Sequence, residues 1–114
     1  MNSIIQKPWG CYQILEKNKN YLVKNIIVKP DGILSLQSHK YRSEHWIVVK
    51  GTATVTIEKK INKLKSNENI FIPKLAKHRL ANHEKEDLII IEVQYGNILK
   101  EDDIIRYEDI YNRK

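Results

Sequence analysis

One cysteine, Cys11, occurs in 114 residues. A lone thiol cannot make an internal disulfide, so no cross-linked scaffold is expected and cytoplasm is the default location. Long apolar runs are missing too. The longest, residues 88–91, is far shorter than the roughly 20 residues that span a bilayer. The start, Met-Asn-Ser-Ile-Ile-Gln-Lys-Pro-Trp, lacks the basic and apolar regions of a signal peptide, so none is expected. There is no internal repeat, low-complexity stretch or linker. A chain of this length suits one domain and leaves no room for two ordinary ones.

Positive charge is present in excess, with 20 Lys and Arg against 14 Asp and Glu. Such a balance admits nucleic acid or an anionic substrate. The lysines are scattered, with acids among them, so no nucleic-acid partner is expected. A phosphorylated small molecule is the better match to a few basic residues near a pocket. At 41% hydrophobic and 30% charged, the composition is that of a soluble globular chain.

The chain reads as about nine short strands separated by turns. Residues 1–10 end in Lys7-Pro8-Trp9-Gly10 and read as irregular, with Trp9 as a packing anchor. Strands are expected at 11–16 and 21–28, with a polar turn at 17–20. Lys29-Pro30-Asp31-Gly32 is a strong turn signal. Residues 52–58 alternate Thr52, Thr54, Thr56 against Ala53, Val55, Ile57, which marks a half-buried strand. Further strands are expected at 61–64, 69–72, 77–82 and 87–95, and Pro73 ends the third-last of these. The acidic residues Glu101, Asp102 and Asp103 suit the N-terminus of a helical turn in the tail. Many short strands with regular turns give an all-β sandwich or barrel, and a small barrel can enclose one ligand.

The chain is organised around residues 34–51. Gln37 and His39 are two apart, so in a strand they share a face. The polar stretch 40–43 reads as a hairpin loop. Glu44 then opens a second strand, with Trp46 and Val48 on its face and Gly51 at its end. A hairpin of this kind brings Gln37, His39 and Glu44 to one point. His78, on the strand after Pro73, supplies a fourth candidate. Two nitrogens and two oxygens suit a borderline divalent ion with water or substrate at the remaining positions. Zinc is the first choice; iron, manganese, cobalt and nickel are alternatives.

These motifs resemble the cupins. Gln37-x-His39, four residues, Glu44, six residues, Gly51 matches the first cupin pattern, with Gln in the first His position. Pro73, His78 and Asn82 match the second, with Leu75 and Asn67 in place of turn glycines. Lys7-Pro-Trp-Gly10, Leu34-Ser-Leu-Gln37, Glu44-His-Trp-Ile-Val-Val49, Gly51-Thr-Ala53, Ile72-Pro73, His78-Arg79 and Glu101-Asp-Asp-Ile104 resemble type II phosphomannose isomerase, over residues 7–113. That domain is usually the C-terminal part of bifunctional mannose-6-phosphate isomerase/mannose-1-phosphate guanylyltransferase. Lys40 and Tyr41 replace histidines common in this branch.

The resemblance implies a single cupin domain, a jelly-roll-like β-barrel, with a core at about 7–96 and a short irregular or helical tail at 97–114. It implies an aldose–ketose isomerase converting mannose 6-phosphate to fructose 6-phosphate through a cis-enediol. It implies a metal held by Gln37, His39, Glu44 and His78. Glu92, inside an apolar strand where burial raises its pKa, and His45 are the candidate bases. Arg79, Arg42 and Lys24 are candidates to hold the phosphate, and Lys40 and Tyr41 to shape the entrance. The bland readings are packing for His45, Trp9 and Trp46, and salt bridges for Arg42 and Arg79. Two other functions stay open: an enzyme acting on another phosphosugar or a sugar nucleotide, and a non-catalytic sugar- or metal-binding module. A separate nucleotidyltransferase is an expected partner, as is a second copy of the chain, paired through a terminal strand or the strand at 87–95.

Overall fold

The computed structural model describes residues 3–113, and among them there is no helix. Eleven strands follow one another: β1 (Ile4–Lys7), β2 (Gly10–Lys17), β3 (Tyr21–Val28), β4 (Leu36–Ser38), β5 (Arg42–Lys50), β6 (Ala53–Ile57), β7 (Lys60–Leu64), β8 (Asn69–Ile72), β9 (His78–Ala81), β10 (Leu88–Gly96) and β11 (Ile105–Glu108). They form a six-stranded sheet in the order β1-β2-β3-β10-β5-β8 and a five-stranded sheet in the order β11-β4-β9-β6-β7. The strand pairs are antiparallel.

The inner faces of the two sheets enclose the core. Ile26, Val28, Val48, Leu88 and Ile90 come from the first sheet, and Ala53, Val55 and Leu80 from the second. Burying a side chain of Val or Leu size contributes roughly 1.5–3 kcal/mol, so this cluster is the main apolar support of the fold. The pattern along the central strands then changes. On β10 the inward residues run Leu88, Ile90, Glu92, Gln94, from apolar to polar. In register, Ile90 faces Ile26 and Val48, whereas Glu92 faces Lys24 and Trp46. One end of the sandwich is therefore a dry core and the other a polar cavity. Alternation sets which residues face inward, and the change of residue type along that face, from Leu88 and Ile90 to Glu92 and Gln94, makes the division.

Most strands lie where the sequence suggests, with four corrections. Residues 4–7 form β1, which pairs with β2 through the Pro8-Trp9 turn, instead of being irregular. Gln37 and Glu44 do not sit on a hairpin. β4 pairs with β9 and β11, while β5 lies in the other sheet, so the chain crosses the sandwich between His39 and Arg42. The tail, expected to be irregular or helical, is irregular apart from strand β11, which pairs with β4. Finally, β10 is not an edge available for pairing with a second copy, because β3 and β5 occupy both of its sides. Edges remain at β1, β8, β11 and β7.

Among the described residues, Asp31, Glu58, Asn67, Leu75 and Asn112 have a left-handed backbone. Asn67 and Leu75 have φ of 73° and 71°. These are the two positions where the sequence lacks the turn glycines of the motif it resembles. Asn tolerates this region, but a branched residue such as Leu is strained there. The Leu75 N–H donates to the His39 carbonyl at 2.9 Å, so the strained turn is tied to the loop that holds His39.

Candidate metal centre

His39, Glu44 and His78 are all buried, and one ligand atom from each lies within 4.8 Å of the others. Each reaches this point from a different element. Glu44 projects inward from β5, His78 from β9, and His39 follows β4 directly. Gln37 lies opposite His78 in the β4–β9 register, and its side chain lines the same cavity.

The hydrogen bonds of the two imidazoles fix their tautomers. His39 Nδ1 lies 2.7 Å from the Asp103 carbonyl, and His78 Nδ1 lies 3.0 Å from the Ala76 carbonyl. A carbonyl only accepts, so each Nδ1 carries a hydrogen, and in the neutral ring Nε2 keeps its lone pair. Those lone pairs face the Glu44 carboxylate at 3.2 Å from His39 and 3.7 Å from His78. Burial, helped by Arg42, lowers the His39 pKa to about 4, which keeps this ring neutral. Two lone pairs and a carboxylate converging in a buried space fit a cation, and the backbone carbonyls act as the outer partners that orient metal-bound histidines. The donor set is therefore suited to a divalent metal ion.

Arg42 belongs to the same cluster. Its Nε–H donates to Glu44 at 2.8 Å, and a terminal nitrogen lies 3.3 Å from His39 Nε2. Burial pushes the Glu44 carboxyl up, but the Arg42 guanidinium that donates to it holds it below the usual carboxylate range. Glu92 goes the other way. Burial, and then the Glu44 charge, push its carboxyl up to about 7. Trp46 joins the pair, because its indole N–H lies 3.1 Å from Glu44 and 2.9 Å from Glu92. Gln94 donates to the other oxygen of Glu92 at 2.9 Å. One carboxylate is thus held ionised and its neighbour is poised between forms, which is how acid and base roles separate in a buried site.

The cavity has a volume of about 150 Å³. Its wall includes the candidate ligands Gln37, His39, Glu44 and His78, the acid Glu92, and the cations Lys7, Lys24, Arg42, Arg106 and Arg113. Trp9 and Trp46 are buried, as packing predicts, yet both also face the cavity. Lys24 is buried and paired with Glu101 at 2.8 Å.

Other expected site residues lie elsewhere. His45 follows Glu44 on β5, so its side chain points to the outer face, where it is exposed and bonded to Asn69 at 3.0 Å. The structure does not bring it to the cavity. Arg79 alternates with inward-facing His78, donates to the Leu34 carbonyl at 2.9 Å and pairs with Glu108 at 3.3 Å. This is the salt-bridge reading, away from the cavity wall. Lys40 and Tyr41 are exposed, and what they offer the site is backbone. Their N–H groups donate to the two oxygens of Asp103, both at 2.9 Å.

Sequence reasoning passed over several cavity residues. Tyr12, Glu101 and Arg106 come from distant parts of the chain. For Arg106 the signal is register alone, since β11 sets it opposite Gln37. Burial and the Glu101 carboxylate raise the Tyr12 pKa, so its hydroxyl remains a donor.

Comparison with known proteins agrees with this construction. A solved structure described as an RmlC-like cupin from Shewanella frigidimarina superposes with a TM-score of 0.76 at 20% identity, covering 89% of this chain and 87% of that one. The fold is thus a cupin. The alginate biosynthesis protein AlgA of Pseudomonas fluorescens is 50% identical over 109 residues, which are 96% of this chain and 23% of that protein. The mannose-1-phosphate guanylyltransferase ManC of Salmonella typhimurium is 47% identical over 113 residues, 99% of this chain and 24% of that protein. The chain therefore spans about a quarter of the length of these relatives. The family described as "Mannose-6-phosphate isomerase C-terminal" matches residues 1–109, and the chain, with its buried His39–Glu44–His78 cluster, belongs to that family.

Proposed function

We propose that this chain is a metal-dependent isomerase interconverting mannose 6-phosphate and fructose 6-phosphate. One observation carries the reading: a buried carboxylate, Glu92, shares a cavity with the candidate metal cluster and is linked to it through the Trp46 indole. Aldose–ketose isomerisation needs that pairing, a base for a carbon-bound proton and a positive centre for the oxygens of the enediol.

In this reading His39, Glu44 and His78, with Gln37, hold the metal. Zinc is the first choice, with iron, manganese, cobalt or nickel as alternatives. When bound, the ion supplies Lewis-acid charge for the developing enediolate. Glu92 takes the proton from sugar C2 and returns it to C1, while the C2 hydroxyl proton passes to O1, so atoms and charge balance over the cycle. A carboxyl with a pKa near 7 suits both halves of that exchange. Trp46 and Gln94 orient Glu92 by donating to its two oxygens. Lys24 is the cation we assign to the phosphate, as a point charge. Arg42 holds the Glu44 carboxylate instead.

The cavity size favours a sugar phosphate over a sugar nucleotide. At about 150 Å³ it is smaller than the roughly 300 Å³ at which pockets for drug-sized ligands begin. The relatives are named for alginate biosynthesis and mannose 1-phosphate guanylylation, and these names support the reading of a mannose phosphate isomerase that feeds sugar-polymer precursor supply. A separate nucleotidyltransferase as partner, a homodimer through an edge strand and a cytoplasmic site of action belong to this reading. Among the described residues no helix is long and apolar enough to cross a membrane.

The test is conversion of mannose 6-phosphate by metal-loaded protein, beside a His39→Ala/His78→Ala variant. Turnover lost in the variant supports the reading. No turnover by metal-loaded wild type refutes it and leaves an enzyme acting on another phosphosugar or a sugar nucleotide, or the binding-module function.

A further inference from the structure

Glu101 lies on the segment between β10 and β11, and its carboxylate closes on the cavity wall. One oxygen lies 2.8 Å from Lys24 Nζ, and the other 3.1 Å from the same nitrogen. The Tyr12 hydroxyl donates to it at 3.4 Å, and Lys24 Nζ also lies over the Tyr12 ring, 4.1 Å from its centre. The exposures of the two charged partners are unequal. The Lys24 side chain is 7% exposed, whereas that of Glu101 is 54% exposed. A buried cation in the cavity is thus neutralised by an acid that leans in from solvent.

The segment has anchors of its own. The Asp103 carboxylate receives the Lys40 and Tyr41 N–H groups, the Asp103 carbonyl receives His39, and the Lys100 carbonyl receives Arg42. The Glu101 side chain can turn out to water while all four of these contacts stay in place.

We infer that Lys24 and Tyr12 form an oxyanion subsite, and that the Glu101 carboxylate fills it until the phosphate of a substrate displaces it. The inference rests on the sugar-phosphate reading of the cavity. A carboxylate offers one negative charge and two acceptor oxygens. A phosphate monoester offers about 1.5 to 2 charges and three oxygens, so it is the stronger partner for the same donors. A neutral sugar has nothing with which to displace Glu101. The residue therefore acts as a specificity filter, setting a threshold that only an anionic end passes.

Titration calorimetry with inorganic phosphate, on the full chain in a phosphate-free buffer, tests this. Glu101→Gln, at a half-exposed side chain, is expected to tighten phosphate binding about three- to five-fold, the size of a part-exposed charge pair. The gain is expected to vanish when Lys24→Met is added. Phosphate binding by Glu101→Gln that is equal to or weaker than wild type overturns the inference, as does a gain that survives in the double variant. In turnover, Glu101→Gln is expected to lower KM for mannose 6-phosphate with kcat little changed; a raised KM makes Glu101 a direct substrate ligand and overturns it. Absence of turnover in wild type would defeat the isomerase reading alone, because the phosphate titration still decides the role of Glu101.

Discussion

The two faces of β5 and β10 differ completely. Inward lie Glu44, Trp46, Glu92 and Gln94, all buried and joined by hydrogen bonds. Outward lie His45, Ile47, Val93 and Tyr95, each exposed. Phe71 on β8 adds to this outer face, with its ring 6.0 Å from that of His45. One residue step along the chain is all that separates them. Chemistry in this protein is set by which side of the pleat a residue occupies, and residue type alone is a poor guide: an imidazole next to Glu44 in sequence is remote from the site, while imidazoles from β9 and from beyond β4 complete it.

That contrast yields graded predictions. The largest effect is expected from His39→Ala/His78→Ala, which removes two inward ligands. Bound metal by elemental analysis should fall to background and turnover below detection; full metal occupancy in this variant would break the contrast. Next comes Glu92→Gln, which keeps the shape but removes the proton acceptor. We expect kcat to fall about 10²–10⁴-fold with metal content unchanged, the range for a lost general base. Trp46→Phe withdraws one donor from two buried carboxylates. Stability in urea should drop by about 1–3 kcal/mol, the cost of leaving such groups unsatisfied. Leu75→Asn relieves a left-handed backbone and should gain about 0.5–1 kcal/mol, seen as a raised Tm. His45→Ala, on the outer face, should change stability by no more than about 0.5 kcal/mol and leave kcat unaltered. A large loss in kcat here would show that the outer face takes part in the chemistry.

Much of the fold is legible because turns punctuate it. Strands β3 and β8 fall where the sequence puts them, bounded by polar or proline-containing turns. Glu92 attracts attention for a physical reason, since an acid in an apolar strand has to be buried at a cost or used. The outward position of His45 is legible in the sequence as well. Once Glu44, Trp46 and Val48 share a face, alternation places His45 on the other. What stayed hidden is long-range. Gln37 and Glu44 look like hairpin partners because alternation is the same whether the next strand pairs or crosses to the other sheet. Three acids at 101–103 look like a helix start, yet Asp103 spends its carboxylate on the N–H groups of Lys40 and Tyr41, some sixty positions earlier. No local pattern encodes such a contact.

Strand β11 gives this arrangement a direction in time. The cavity wall draws on residues from Lys7 to Arg113, and the β4 edge is completed by Ile105–Glu108. During synthesis the candidate ligands His39, Glu44 and His78 leave the ribosome well before the segment that orients His39 and closes the wall. Until β11 docks, a nascent chain therefore exposes these side chains with no finished enclosure. The enclosure is finished only when β11 docks on β4.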